Sequence, residues 1–496
     1  MSYFLGIDSG GTFIKACLFD SHGQEVAIFR KNADVVSAKE GWVERNLQNL
    51  WLEMCSVING VIKTSGVDAN LIQGVSISAQ GKGLYLLDKN GDDLRNEILS
   101  SDSRSLQIVK AWQASGVPEE IYPKTLQTLW TGHPVSILRW LKENEPDNYS
   151  NIGAVLMSHD YLRYRLTGEV SAEITNMSES NLFSAQSGNY DIELLKLFGI
   201  EEVFSSLPQL IYPTDRAGTI SAEIAEITGL AQGTPVFGGL FDVVSTAICS
   251  GISDSEHQLN AAMGTWSVTS GITRKVTHTE GHNFVYGHYA VADQYIIHEA
   301  SPTSASNYEW FAPYLGDNGK LDHVQNESLV KALEPAASEL FFVPFLYGSN
   351  AGLGLKSGLY GLQAHHTKGH IVQAIWEGIL FCHNVHLQRM KKRFPKAKVL
   401  RVTGGTTQSE TWMQMLADIS GMEVEIPQVQ ETGALGAALV SMVGVGKYDS
   451  IEDAFSNLDI AIKQVKPNEH LFERYERKYQ RYLTLVNLIK QFEAEK

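Results

Sequence analysis

Four short strings in this chain put reactive or backbone-exposing residues where chemistry is possible. The first is Asp8-Ser9-Gly10-Gly11-Thr12, with Lys15 close behind. A turn stripped of side chains exposes successive backbone N–H groups that can surround phosphate oxygens, and a carboxylate ending the preceding strand can hold hydrated magnesium. No Gly-Lys-Ser/Thr follows, so this is not a Walker loop, and an ordinary β-turn is the competing reading of Gly-Gly-Thr alone. The second string, Met263-Gly264-Thr265-Trp266-Ser267, repeats the device far downstream. The third, Thr403-Gly404-Gly405-Thr406, lies between a strand pattern and a helix pattern, where glycine lets a flat base or a ribose approach the backbone. The fourth, Gly238-Gly239-Leu240-Phe241-Asp242, brings a carboxylate to a strand–helix junction. Aspartate there is most often a helix cap, and the chemical alternative is a general base that takes a proton from an alcohol.

These residues need elements to carry them. Tyr3 to Asp20 reads as two apolar runs broken by Ser9-Gly10-Gly11-Thr12, that is, two strands and a tight turn, and a third strand follows through Glu25 to Arg30. Leu47, Leu50, Trp51, Met54, Val57, Ile58, Val61 and Ile62 step by three and four, which predicts an amphipathic helix to about Lys63. Ile72 to Ser78 is β-branched and strand-like. Helices are expected at 135–142, 160–166 and 192–198, each of the last two closed by glycine, and 234–241 reads as one strand leading to a helix from Val243. From about Gly251 the order begins again: a strand to Met263, a turn, a strand to Thr273, another at 295–298, a long helix 370–390, a strand 399–402 and a helix closed by Gly421. The expectation is two similarly wired α/β halves with mixed sheets, because the first strands of each are hairpin-linked.

Composition bounds the partners. The 496 residues carry 40 Lys and Arg against 56 Asp and Glu, a net charge of −16, which argues against nucleic acid and anionic membrane surfaces. The four cysteines are widely spaced and suggest neither disulfides nor a zinc site. No signal-like N-terminal run and no apolar run of 18 residues occurs, so the expected location is the cytoplasm. A homodimer is the expected assembly only because dimers are the commonest soluble oligomers.

The ordered set Asp8-x-Gly10-Gly11-Thr12, Asp242, Gly264-Thr265 and Gly404-Gly405 resembles the FGGY family of carbohydrate kinases, in the actin/hexokinase/Hsp70-like ATPase superfamily. Asp160-Tyr-Leu with Leu166-Thr-Gly168, and Ser357-Gly-Leu-Tyr-Gly361 with His370-Ile-Val-Gln-Ala-Ile-Trp-Glu377, are similar to further family signatures, so the resemblance spans nearly the whole chain. It implies an α/β fold of two ribonuclease-H-like domains around a central cleft. The expected division is 1–247 for the sugar and the catalytic base, and 248–496 for ATP, with a terminal helix. By the same resemblance, ATP is the co-substrate. Asp8 positions Mg²⁺ through water; Gly10, Gly11, Thr12, Lys15, Gly264 and Thr265 meet the phosphates; Gly404 and Gly405 lie against the nucleotide; and Asp242 is the general base.

A sugar also needs converging polar partners and an apolar wall. The candidates are Gln80 and Lys82 in Ser78-Ala-Gln-Gly-Lys-Gly83, Asp102 in Ser100-Ser-Asp-Ser-Arg104, and His133 in Leu129-Trp-Thr-Gly-His-Pro134. The first string departs from the Gly-Gln-Met-His-Gly of many family members, with Ala79 before Gln80 and Lys82 at the histidine position. Lys82 is then either a solvated lysine on a loop or a donor to the sugar, able to tolerate an acidic relative such as 3-dehydro-L-gulonate. The strings as a whole look most like the L-xylulose branch of the family, which makes the terminal 5-hydroxyl of L-xylulose the expected acceptor. D-Xylulose, L-ribulose, 3-dehydro-L-gulonate and a polyol are the alternatives. A nucleotide-driven switch of the actin or Hsp70 kind is disfavoured, because there is no separate substrate-binding domain.

Overall fold

The structure is a computed structural model, and it describes residues 2–252, 255–276, 284–352 and 354–494. Contacts divide the chain into two compact units: Met1–Gly251 with Thr273–Ile297 and Glu431–Asp459, and Ile252–Ile272 with His298–Gln430 and Ile460–Lys496.

The first unit is built on β1 (Tyr3–Ser9), β2 (Phe13–Asp20), β3 (Glu25–Asn32), β4 (Ile72–Ala79), β5 (Arg216–Thr219), β6 (Pro235–Phe237) and β7 (Leu240–Phe241). Their sheet runs β5-β6-β4-β1-β2-β3, with β7 also beside β4. The β1–β2 and β2–β3 pairs are antiparallel, whereas β1, β6 and β7 run parallel to β4, so the sheet is mixed, as the hairpin start requires. The stretch 234–241 is not one strand: Gly239, at φ +86°, breaks it between β6 and β7, and a side chain on Gly238 would strike the Tyr212 carbonyl. Helix α1 (Leu47–Ser65) is capped by the Asn46 side chain on the Asn49 amide and ended by Gly66, and it buries the predicted stripe from Leu47 to Val61 in the core. All four cysteines are free and buried.

The second unit has its own mixed sheet, containing β8 (Gln258–Met263), β9 (Ser267–Thr273), β10 (Val399–Thr403), β11 (Glu423–Pro427) and β12 (Ile462–Val465) in the order β9-β8-β10-β11-β12. Here too a hairpin's first strand, β8, has its antiparallel partner on one side and a parallel strand, β10, on the other. That shared wiring is the repetition the element order suggested. The long helix expected at 370–390 spans Lys368–Arg393, and the chain ends in a helix over Phe472–Ala494. Among the described residues, no helix is long and apolar enough to cross a membrane.

One helix reaches the first sheet from far along the chain. Thr432–Gly444, here α2, is buried from Gly433 to Met442 and packs on β1 and β4. Its approach is set by glycines. A Cβ on Gly6 of β1 would collide with the carbonyl oxygen of Ala434, one on Gly436 with the Ser245 hydroxyl, and one on Gly433 would lie 2.5 Å from the Asp8 carboxyl carbon. Backbone against backbone cannot yield as a side-chain tip can, so Gly6→Ala must push the helix off the strand. We expect it to lower unfolding free energy by about 2 kcal/mol or more. Denaturant unfolding measures this, and a loss of less than about 0.5 kcal/mol, within the range of ordinary surface substitutions, would show that the approach is not constraining.

Candidate active site

Parallel register decides which residues meet. Asp8 and Leu240 both lie opposite Ser78, and Ser9 and Phe241 both lie opposite Ala79, on the two sides of β4. The three strands therefore end together at roughly 5 Å spacing, and the segments leaving them emerge side by side: Gly10-Gly11-Thr12, Gln80 to Gly83, and Asp242. Carboxyl ends of parallel strands are where open α/β sheets present ligand sites. The Gln80 amide donates to the Ser9 carbonyl at 3.0 Å, and a Cβ on Gly11 would approach the Gln80 side-chain oxygen to 3.3 Å. Gly10 closes the hairpin by donating to the Phe13 carbonyl, while Gly11 and Thr12 are exposed.

Charge is concentrated here. Lys15, opposite Asp8 in the hairpin, bridges Asp8 at 3.1 Å and Glu431 at 2.7 Å. Burial raises the proton affinity of Asp8, and Lys15 offsets this only in part. Burial pulls against the Lys15 ammonium, but the two carboxylates outweigh it and hold the lysine charged. Asp242 is the first residue of an eight-residue helix, Asp242–Cys249; its cap is Phe241, which makes no side-chain capping bond, so Asp242 is not the N-cap. Its carboxyl is pushed up to about 7, by burial first and by the nearby Asp8 charge second, against the Val243 amide and Lys82.

A buried polar network holds the Asp242 segment. The Thr175 hydroxyl accepts from the Phe241 amide at 3.0 Å and donates to Glu173 at 2.7 Å, and Arg163 donates to the Gly238 carbonyl while pairing with Asp160 at 3.0 Å. Next to it, Asn176 grips the neighbouring loop twice, donating to the Gln80 carbonyl at 3.2 Å and accepting from the Lys82 amide at 3.1 Å. Lys82 has φ +61°, a left-handed conformation that this clamp enforces. Its ammonium is not solvated as a loop lysine would be: it pairs with the fully buried Glu179 at 2.6 Å and lies 5.1 Å from the centre of the Phe241 ring.

The other predicted loops are knit to this one. The Gly83 amide donates to the Gly132 carbonyl at 2.9 Å, and Gly132 passes so close to Ser100 that a side chain there would strike its carbonyl. Buried His133 accepts at Nδ1 from the Trp130 amide at 3.0 Å, and burial, then Lys82, lowers its pKa to about 3, so the ring is neutral with its proton on Nε2. Asp102 sits in the same cluster, but its carboxylate already accepts from the Val43 amide at 2.6 Å and from the backbone amide, Nε and Nη2 of Arg104 at 2.8–2.9 Å. It fixes this loop from beneath.

In the second unit, Ala262 opposite Thr403 brings the two remaining glycine strings together. Gly404 has φ +106°, and a Cβ there would lie 2.5 Å from the Met263 carbonyl, which also accepts from the Thr406 hydroxyl at 3.1 Å. Gly264 and Gly405 have no atom within 4 Å of where a Cβ would sit, and Thr265 is exposed. Both turns thus offer open backbone.

Comparison with known proteins gives the family. Residues 3–249 match the model of the FGGY family of carbohydrate kinases, N-terminal domain, and residues 259–445 match that of its C-terminal domain. The chain belongs to the FGGY family of carbohydrate kinases. It is therefore a phosphotransferase whose acceptor is an alcohol group of a carbohydrate. Among its relatives, a probable L-xylulose kinase of Pasteurella multocida is 53% identical over 99% of both chains. The L-xylulose/3-keto-L-gulonate kinase of Escherichia coli is 50% identical over 99% of this chain and 98% of that one. The ligand-bound xylulose kinase structure from Lactobacillus acidophilus shares the fold, with a TM-score of 0.91 at 21% identity and 99% coverage of each chain.

Sequence reasoning passed over Thr175, Asn176, Glu179, Glu431 and Gly433. Glu431 had a signal, the small-residue helix Thr432-Gly-Ala-Leu-Gly-Ala-Ala that follows it. The run 175–181 had none, because its polar composition reads as an exposed loop, whereas every residue in it is buried.

The raised Asp242 carboxyl has a stability consequence with a definite sign. Between its ordinary 3.8 and about 7 the folded protein holds more protons at this group than the unfolded chain, so its contribution to stability falls as pH rises through that window. Asp242→Asn, which removes the charge at constant size, is expected to melt at least about 2 °C above the unsubstituted protein at pH 8. The gain should disappear near pH 4, and an equal or lower melting temperature at pH 8 would contradict the assignment.

Proposed function

We propose that this kinase transfers the γ-phosphate of ATP to the terminal 5-hydroxyl of L-xylulose, giving L-xylulose 5-phosphate and ADP, with Asp242 as general base. The observation that carries the reading is the Asp242 carboxyl, half-buried at the carboxyl end of the sheet and with a proton affinity near neutrality. A base poised there is ionised often enough at pH 7 to accept a proton and basic enough to draw it from a hydroxyl. As the sugar oxygen bonds to phosphorus, the bond from phosphorus to the β,γ-bridging oxygen breaks and the hydroxyl proton passes to Asp242. Most of the remaining catalysis is positioning and electrostatic stabilisation.

Each residue takes a role in this reading. Residues 1–247 supply the acceptor loops and the base: Gln80, Lys82 and His133 around the sugar, with Asp102 holding their loop. Residues 248–496 supply the nucleotide turns, Gly264-Thr265 for phosphate and Gly404-Gly405 for the nucleoside. Gly10, Gly11, Thr12 and Lys15 meet the phosphoryl group being transferred. Asp8 fits a magnesium site, since Mg²⁺ keeps several waters and needs only one or two carboxylates, and Gly433 puts no side chain against this carboxylate. When bound, the ion would neutralise charge on the phosphate oxygens. The two relatives near 50% identity, one a probable L-xylulose kinase and the other an L-xylulose/3-keto-L-gulonate kinase, support L-xylulose over D-xylulose, L-ribulose or a polyol.

A coupled ADP-release screen over ketopentoses of both hands, 3-keto-L-gulonate, glycerol and common polyols tests the acceptor. L-Xylulose is expected to give the highest kcat/KM, and a higher value for D-xylulose would overturn the assignment. Asp242→Asn should lower kcat by roughly 10²–10⁴-fold in a folded protein, the range general-base catalysis contributes. In the unsubstituted enzyme, log kcat/KM should rise with unit slope up to pH about 7 and then level, because the base must be ionised. Near-normal turnover in the variant, or a flat profile between pH 5 and 8, removes Asp242 from that role.

A further inference from the structure

Lys82 and Glu179 are 97 residues apart, yet their side chains meet at 2.6 Å, with Glu179 fully buried and Lys82 only 12% exposed. Three features fix the ammonium in place: the left-handed backbone of Lys82, the Asn176 clamp on its amide, and the Phe241 ring beneath Nζ. Phe241 is the residue before Asp242, so the pair stands beside the base. The backbone of Gly287 lies close against the Glu179 carboxylate, where a side chain would collide with it. His133, whose imidazole feels both charges, is neutral, and Asp242 feels both as well.

A carboxylate buried this deeply needs its cation, because removing one partner leaves an uncompensated charge in a poor solvent. As long as Glu179 holds Lys82, the pair adds no net charge beside Asp242, and a neutral ketose meets hydrogen-bonding groups without a charge mismatch. An acceptor with its own carboxylate must instead share the ammonium with Glu179, which is possible because an ammonium has three donors. We propose that the Lys82–Glu179 ion pair grades acceptors by charge: Lys82 is the group that admits a carboxylate-bearing ketose, and Glu179 is the built-in competitor that keeps the site selective for neutral sugars. This rests on the acceptor site proposed above. It deepens that reading by making acid tolerance a property of one pair rather than of the pocket's size.

The test is the ratio of kcat/KM for 3-keto-L-gulonate to that for L-xylulose. Glu179→Gln keeps shape and frees the ammonium, and should raise the ratio at least tenfold. Lys82→Gln removes the cation and should lower it at least tenfold, with acid turnover lost before neutral turnover. A ratio within twofold of the unsubstituted enzyme in both variants overturns the proposal, as does a change of opposite sign in either. Thermal melting identifies a variant that fails to fold. If Glu179→Gln does, Lys82→Arg, which keeps the charge and should keep the ratio within threefold, decides the question together with Lys82→Gln. If the best neutral acceptor proves to be another ketose, the L-xylulose assignment falls. The same ratio, measured with that ketose and its terminal-carboxylate counterpart, then still decides the role of the pair.

Discussion

Two carboxylates at the ends of strands that flank the same neighbour are the constraint on which this site depends. Asp8 pairs with Ser78 of β4 and Asp242 follows Phe241, which pairs with Ala79, so their charges are not independent, and the protein answers with unequal treatment. Asp8 receives a lysine of its own from the facing hairpin strand, shared with Glu431. Asp242 receives only an amide and a more distant lysine, and keeps a proton affinity near neutrality. Burial raises both carboxylates, but the neighbouring lysine offsets part of that rise at Asp8, whereas Asp242 is left to titrate near neutrality, and such unequal environments are how a shared scaffold separates acid–base roles.

That arrangement holds only because backbone comes unusually close to backbone. Thr432–Gly444 could not approach β1 if Gly6 or Gly433 carried a side chain, and without the approach Glu431 would not reach Lys15. The contact joins residues more than 400 positions apart, which is why Glu431–Asp459 packs with the first unit although most of the intervening chain after residue 297 belongs to the second. The polar network under Asp242 does similar work on its other flank. Glu173, Thr175 and the Phe241 amide form a chain in which each group satisfies the next, so the segment carrying Asp242 is held by hydrogen bonds whose loss would leave buried groups unpaired.

What was legible in the sequence follows from the range of the interactions. The hairpins at Gly10-Gly11 and Gly264-Thr265, the stripe of α1 and the position of Asp242 are written in neighbouring residues, because glycine conformation and apolar periodicity are local properties. The break at Gly238-Gly239 was read through, since the flanking Val236, Phe237, Leu240 and Phe241 keep an apolar pattern on both sides. Lys82 was ambiguous for the opposite reason. Its glycine neighbours suggest a solvated loop, and nothing near it announces Glu179. Asp102 was recognised as part of the acceptor loops, but the donors that occupy its carboxylate, the Val43 amide and the Arg104 side chain, can only be assigned once the fold has brought residue 43 to residue 102.

The overall charge of −16 can now be set against the local one. Around the proposed reacting atoms stand Asp8, Asp242, Glu179 and Glu431, four carboxylates, with Lys15 and Lys82 as their cations. The fixed charge of this cluster is therefore negative whenever Asp242 is ionised, and a nucleoside triphosphate is a polyanion. Within a screening length of about 8 Å at physiological salt, the distant surface matters little and this local imbalance matters greatly. In the proposed reading, Lys15 meets the phosphoryl group while still shared with Asp8 and Glu431, so much of the polyanion's charge is left to uncharged amides such as those of Gly10-Gly11-Thr12 and to cations that arrive with the nucleotide. Glycine turns are the means by which uncharged backbone can take part of the place of lysine and arginine in such a site.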